Sequence, residues 1–160
     1  IFSHVTYSGE ELDYFQRIFN PVVSLAGPED CQEIAQLICQ DPELGGQYQP
    51  DLLAKQLIER IKTGMGRSYV IRSPEGKIIA HQASFAEAPG VAVTSGLVIL
   101  PQYRETDDCL NAICHYPSLP LQLEGRTSYY FCINHKMIKF LKRKKAEVPV
   151  AEYGKLILKQ

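Results

Sequence analysis

Between residues 67 and 100 the chain changes its apolar rhythm, and that change most limits what it can fold into. Three β-rich runs, "RSYVIRS", "GKIIAHQASFAE" and "VAVTSGLVIL", are joined only by "PEG" and "APG". Connections this short bring neighbouring strands together antiparallel, so the three runs read as a meander. Ahead of them the period is helical. "GPEDCQEIAQLICQ" puts Cys31, Ile34, Ala35 and Ile38 on one side, with Pro28 near the first turn and Glu29 and Asp30 at the positive end. "DLLAKQLIERIKTG" puts Leu53, Leu57, Ile58 and Ile61 on one face and stops at Gly64.

The remaining elements follow from the same periods. "FSHVTYS" reads as a short strand, "GEELDYFQRIF" as a short helix and "PVVSLAG" as an apolar strand. After the meander come a helix from about Thr106, the strand "TSYYFCIN", a basic amphipathic helix "HKMIKFLKRKK" and a terminal run "AEYGKLILK". Prolines 117 and 120 must shorten or break the helix that starts near Thr106, because each lacks an amide donor. After an N-terminal addition, the order is β-α-α-β-β-β-α-β-α-β.

Composition narrows the classes of function. At 160 residues, 45% hydrophobic and 22% charged, the chain suits one globular domain with its own core. A net charge of −1 argues against nucleic acid as a main partner. No apolar run reaches the roughly 18 residues of a bilayer span, so no membrane partner is expected. The first 20 residues carry acids where a secretory signal needs a basic start. A chain that begins at Ile1 without Met reads as a trimmed or excised segment. Five cysteines without CxxC pairs read as reduced thiols in a cytoplasmic setting, and the four histidines have no metal-ligand spacing to them.

The stretch "SGLVILPQYRETDDC", residues 95–109, is an apolar strand stopped by proline and followed by a turn into a helix. Within it "LVILPQYR" resembles the fourth strand of the GNAT superfamily of acyl-CoA-dependent N-acetyltransferases, in which apolar residues precede Pro, an aromatic and Arg. "GKIIAHQASF" is similar to the strand before it, and "CINHKMIKFLKRK" resembles the family's later strand-Asn-helix segment. The resemblance covers roughly Val22 to the C-terminus. It divides the chain into an N-terminal extension, 1–21, and a GNAT-like domain, 22–160. The implied fold is α/β (α+β), a central mixed, mostly antiparallel sheet flanked by helices with its two middle strands splayed apart.

The resemblance also implies a site. Acetyl-CoA would lie along Leu97, Val98, Ile99 and Leu100, with its pyrophosphate on the turn formed by Arg104, Glu105, Thr106, Asp107, Asp108 and Cys109, and Asn134 on the far strand. Unpaired amides and the positive end of a helix favour an anion at such a turn. The usual pattern there is Gln/Arg-x-x-Gly-x-Gly/Ala. Counted from Arg104, this chain has Asp107 at the first glycine and Cys109 at the second small residue. The three acids Glu105, Asp107 and Asp108 oppose a pyrophosphate, and Thr106 or Asp107 can instead cap the helix itself. The closing motif Asn-x-x-Ala-x-x-Leu-Tyr is met by Asn134, Met137, Phe140 and Leu141, which leaves no tyrosine at its end.

Two functions follow. In the first, the chain moves an acetyl or acyl group from acyl-CoA to a small-molecule or peptide amine by direct attack. Glu87 or His81 is the base and Tyr130 the acid that protonates the leaving thiolate, with Tyr129 and Tyr153 as substitutes. In the second, the chain is a non-catalytic GNAT-like module that binds a partner or small ligand, or a domain of a longer protein, in which the CoA turn has degenerated. Cys114 and His115 form no nucleophile dyad, because adjacent helical residues point about 100° apart. The run Lys136, Lys139, Lys142, Arg143, Lys144 and Lys145 reads as a solvated helix face, or as a contact for the cofactor's 3′-phosphate. A free strand edge leaves a homodimer open.

Overall fold

The computed structural model describes residues 2–5, 23–104, 107–131, 139 and 147–151. The expected helices over residues 9–19 and 135–145 (Lys139 apart), most of the terminal run, and the candidate residues Glu105, Thr106 and Asn134 lie outside them.

Seven strands form one sheet: β1 (Phe2–Val5), β2 (Val23–Leu25), β3 (Arg67–Arg72), β4 (Ile78–Ala88), β5 (Val91–Ile99), β6 (Thr127–Phe131) and β7 (Glu147–Ala151). Their order is β2-β3-β4-β5-β6-β1-β7. Every neighbouring pair is antiparallel except β5 and β6, which run parallel. The mixed, mostly antiparallel sheet expected from the sequence is therefore present, with the meander β3-β4-β5 at its centre. Proline first and a left-handed glycine second (Gly90, φ 76°) make the two-residue turn between β4 and β5.

Among the described residues, the sheet is flanked by the helices α1 (Cys31–Gln40), α2 (Pro50–Thr63), α3 (Asp107–His115) and α4 (Ser118–Leu123). On one face, Ile34 and Ile38 of α1 and Leu53 and Leu57 of α2 close over Val70, Ile78 and Val98. On the other, Ala112, Ile113 and Cys114 of α3 pack on Tyr69, Ile71, Ala80 and Ile99. The apolar helix faces read from the sequence are the ones buried. Pro117 divides α3 from α4, and Pro120 falls in the first turn of α4, where its missing amide would have had no helical partner anyway.

The N-terminal strand is the part the periods did not order. Phe2–Val5 pairs with β6 on one side and β7 on the other, so the extension contributes a strand inside the same sheet.

Candidate functional site

The site lies along the second half of β5. Among the described residues, pairing between β5 and β6 runs from Val91–Thr127 to Thr94–Tyr130, and β5 goes on beside β4 through Ser95–Ile99. A bulge falls in this stretch. On the β4 side, His81 faces Val98 and Ala83 faces Ser95, so three steps of β5 answer two of β4. Gly96 supplies the extra residue at φ 72°. A Cβ at Gly96 would stand 3.3 Å from Cε1 of His81.

His81 holds that bulge from the α1/α2 face. Its ring is 1% exposed, with Nδ1 2.8 Å from the Gly96 carbonyl and Nε2 3.1 Å from the Ser68 hydroxyl. A carbonyl only accepts, so Nδ1 carries the proton and Nε2 accepts from Ser68. Burial outweighs the carbonyl contact and pushes the His81 pKa down to about 4, so the ring stays neutral. Both nitrogens are spoken for by the protein. His81 thus stands as a buried support of the strand.

Beyond the bulge, strand alternation decides which backbone groups face away from β4. The Leu100 amide donates to the Ile79 carbonyl, so residues 98 and 100 face β4 while Leu97 and Ile99 turn the other way. The Ile99 carbonyl accepts Arg104 Nε at 2.6 Å. The backbone N–H groups of Leu97 and Ile99 point to the side of β5 away from β4.

At the end of β5, Pro101–Tyr103 forms a 3-10 turn in which the Tyr103 and Arg104 amides bond the Leu100 and Pro101 carbonyls. The side chain of Arg104 is also committed: besides Ile99, it reaches Asp41 at 3.1 Å. Asp41 lies in the α1–α2 connection, where its Oδ1 accepts the Glu43 and Leu44 amides. The first amides of α3, from Asp107 onward, have no partner within the helix and make the anion-attracting end. Asp108 is exposed there. Cys109 is half-buried against the α3 core cluster, and burial together with Asp108 raises its thiol pKa.

Tyr130 and Glu87 lie apart from this turn. Tyr130, in β6, is 5% exposed and donates its hydroxyl to the Cys114 carbonyl at 2.7 Å. Ser118 Oγ stands 2.8 Å from the same hydroxyl. Burial holds the phenol well above its ordinary pKa, so it is a reluctant acid. Glu87 pairs with Ala92, five residues before Leu97 and so about 17 Å along the strand from it. Its carboxylate is engaged by Ser84, Arg67 and Arg126. Glu87 is an ion-pair centre at the far end of the sheet from Leu97. Two features of the site had no place among the expected residues: Gly96 and the Asp41–Arg104 tie. Only the first had a local signal, a lone glycine inside a strand.

Among the described residues there is no group of three His, Cys, Asp or Glu able to hold a metal, and no helix is long and apolar enough to cross a membrane.

No family model and no curated protein sequence matches this chain. Solved structures do. A GCN5-related N-acetyltransferase from Ralstonia eutropha JMP134 superposes with a TM-score of 0.63 at 14% identity, over 84% of this chain and 97% of that one. The glucosamine-6-phosphate N-acetyltransferase of Arabidopsis thaliana gives 0.62 at 14% identity, over 84% and 96%. A GNAT-family acetyltransferase from Novosphingobium aromaticivorans gives 0.56 at 16% identity; it covers 92% of this chain, which spans 57% of that protein's length. The fold is that of the GNAT acetyltransferases.

Proposed function

We propose that the protein is an acyl-CoA-dependent N-acetyltransferase that passes an acetyl or acyl group directly to an amine. The observation that carries this reading is the run of β5 into the Pro101–Tyr103 turn and α3, with the Leu97 and Ile99 amides turned away from β4. Acetyl-CoA supplies the thioester whose carbonyl the amine attacks. Leu97–Leu100 would lie beside its pantetheine arm, and the first turn of α3 near its pyrophosphate. An amide held in a rigid strand offers a donor to a carbonyl oxygen as it gains negative charge, without reorganising. His81 contributes by fixing the bulge that aims those amides. With Glu87 distant and His81 committed, the reading gives proton removal to water rather than to either side chain. Free thiols at Cys31, Cys39, Cys109 and Cys114 suit a reducing, cytoplasmic setting.

Titration with acetyl-CoA by calorimetry tests the reading: heat of binding is expected, and no heat at millimolar ligand would overturn it. Asp41→Asn sharpens the test. It keeps the oxygen that accepts the Glu43 and Leu44 amides but releases Arg104 Nη2, so acetyl-CoA is expected to bind roughly threefold or more tighter, for a stability cost under about 1 kcal/mol. A second reading, a GNAT-fold module that binds without turnover, is favoured by the same tie: the arginine that would meet the pyrophosphate is already spent on Ile99 and Asp41, with Asp108 exposed beside it. Turnover of any amine with acetyl-CoA would eliminate it.

A further inference from the structure

A second cleft, of about 300 Å³, opens at the end of the sheet remote from the proline turn. Its polar side is Arg67, Glu87 and Arg126, and its apolar side is Leu25, Ala26 and Ile61. Leu25 is 61% exposed, far more than a core leucine. The charges are unequal in depth. Glu87, with its side chain 3% exposed, takes both arginines on Oε2 at 3.0 and 2.9 Å. Glu124, 42% exposed, meets Arg67 end-on through Nη1 at 2.8 Å and Nη2 at 2.5 Å, and Arg126 Nη1 at 2.5 Å.

Arg67 is thus largely used up, whereas Arg126 is not. Among the described residues, Arg126 sends only Nη1 to protein acceptors. The edge formed by its Nε–H and Nη2–H is a two-donor fork of the shape that matches a carboxylate. Nearby, the buried Ser128 Oγ of β6, two residues after Arg126, has no hydrogen-bond partner among the described residues.

We propose that this cleft binds the carboxylate of an apolar-tailed acid, which takes the open edge of Arg126 while its hydrocarbon part lies on Leu25, Ala26 and Ile61. The inference is independent of acetyl transfer, because the cleft and the proline turn lie at opposite ends of β5. Two arginines and two carboxylates leave the network neutral, so the ligand competes with the exposed Glu124 and not with the buried Glu87. The same chemistry could come from a free acid or from the C-terminal residue of an apolar peptide.

Calorimetry with hexanoate, hexanol and N-acetylleucine tests the proposal. Hexanoate is expected to bind and hexanol not to. Glu124→Gln, which removes the competing carboxylate, should tighten hexanoate roughly fivefold. Arg126→Lys keeps the charge but loses the fork, and should weaken hexanoate at least about tenfold. Melting temperature accompanies each variant, and if Arg126→Lys fails to fold, the comparison of wild type with Glu124→Gln still decides. Tighter binding of N-acetylleucine than hexanoate would support the site with a peptide terminus as its source, and weaker binding would support it with a free acid. The proposal is overturned if hexanoate binds neither wild type nor Glu124→Gln, if Arg126→Lys binds it as well as wild type, or if hexanol binds equally.

Discussion

Gly96 and His81 depend on one another at the scale of single residues. At φ 72° any side chain other than glycine's is strained by about 1–2 kcal/mol, and at Gly96 a Cβ would also press on the His81 ring. Gly96→Ala is expected to lose about 2 kcal/mol in urea denaturation. Gly90→Ala has a similar φ but open space around it, and should lose only the backbone part, about 1 kcal/mol. Equal losses would mean that the His81 contact yields freely. His81 also gives the protein a pH signature. Its folded pKa of about 4 lies below the ordinary 6.5, so the unfolded chain takes the proton first. The stability that this contributes is complete above pH 6.5 and drains away as pH falls from there towards 4. Urea midpoints across that window should slope downward in wild type, and less so in His81→Asn, which cannot titrate.

The elements show which parts of the chain answer to local rules. α1 buries Cys31, Ile34, Ala35 and Ile38 because those residues already lie on one side at a 3.6-residue period. The proline at 117 ends one helix and opens the next, as a residue without an amide must. α3 is short and depends on its packing, since an isolated helix of that length is marginal in water. Ile113, fully buried against Tyr69, Ile71 and Ile99, is its anchor. Ile113→Ala is expected to cost about 2–5 kcal/mol by thermal or urea unfolding, and a loss below about 1 kcal/mol would show that α3 is not held through this contact. The β-branched residues of β5 and the Pro89–Gly90 turn made it a legible strand, and Pro101 marked its stop.

The molecule as a whole is ordered by pairings between distant segments. β1 lies between β6 and β7, so four residues at the start of the chain satisfy backbone groups of two strands that come more than a hundred residues later. Deleting residues 1–5 is expected to lower the melting temperature and to raise the dimer and aggregate fraction in size-exclusion chromatography, because β6 would become an open edge. An unchanged monomer of unchanged stability would show that β1 contributes little to the sheet.

The sequence by itself determined the kinds of element, their apolar faces, the antiparallel meander and the proline boundary that resembles the GNAT strand, because each depends on residues within a few positions of one another. Tertiary structure decided the rest: that His81 closes on Gly96 fifteen residues away, that Glu87 belongs to Arg67 and Arg126 rather than to the stretch around Leu97, that Asp41 claims Arg104, and that an N-terminal strand enters the sheet. Those contacts join groups distant in the chain, and a charge or an imidazole carries no local mark of the partner that burial and register will bring to it.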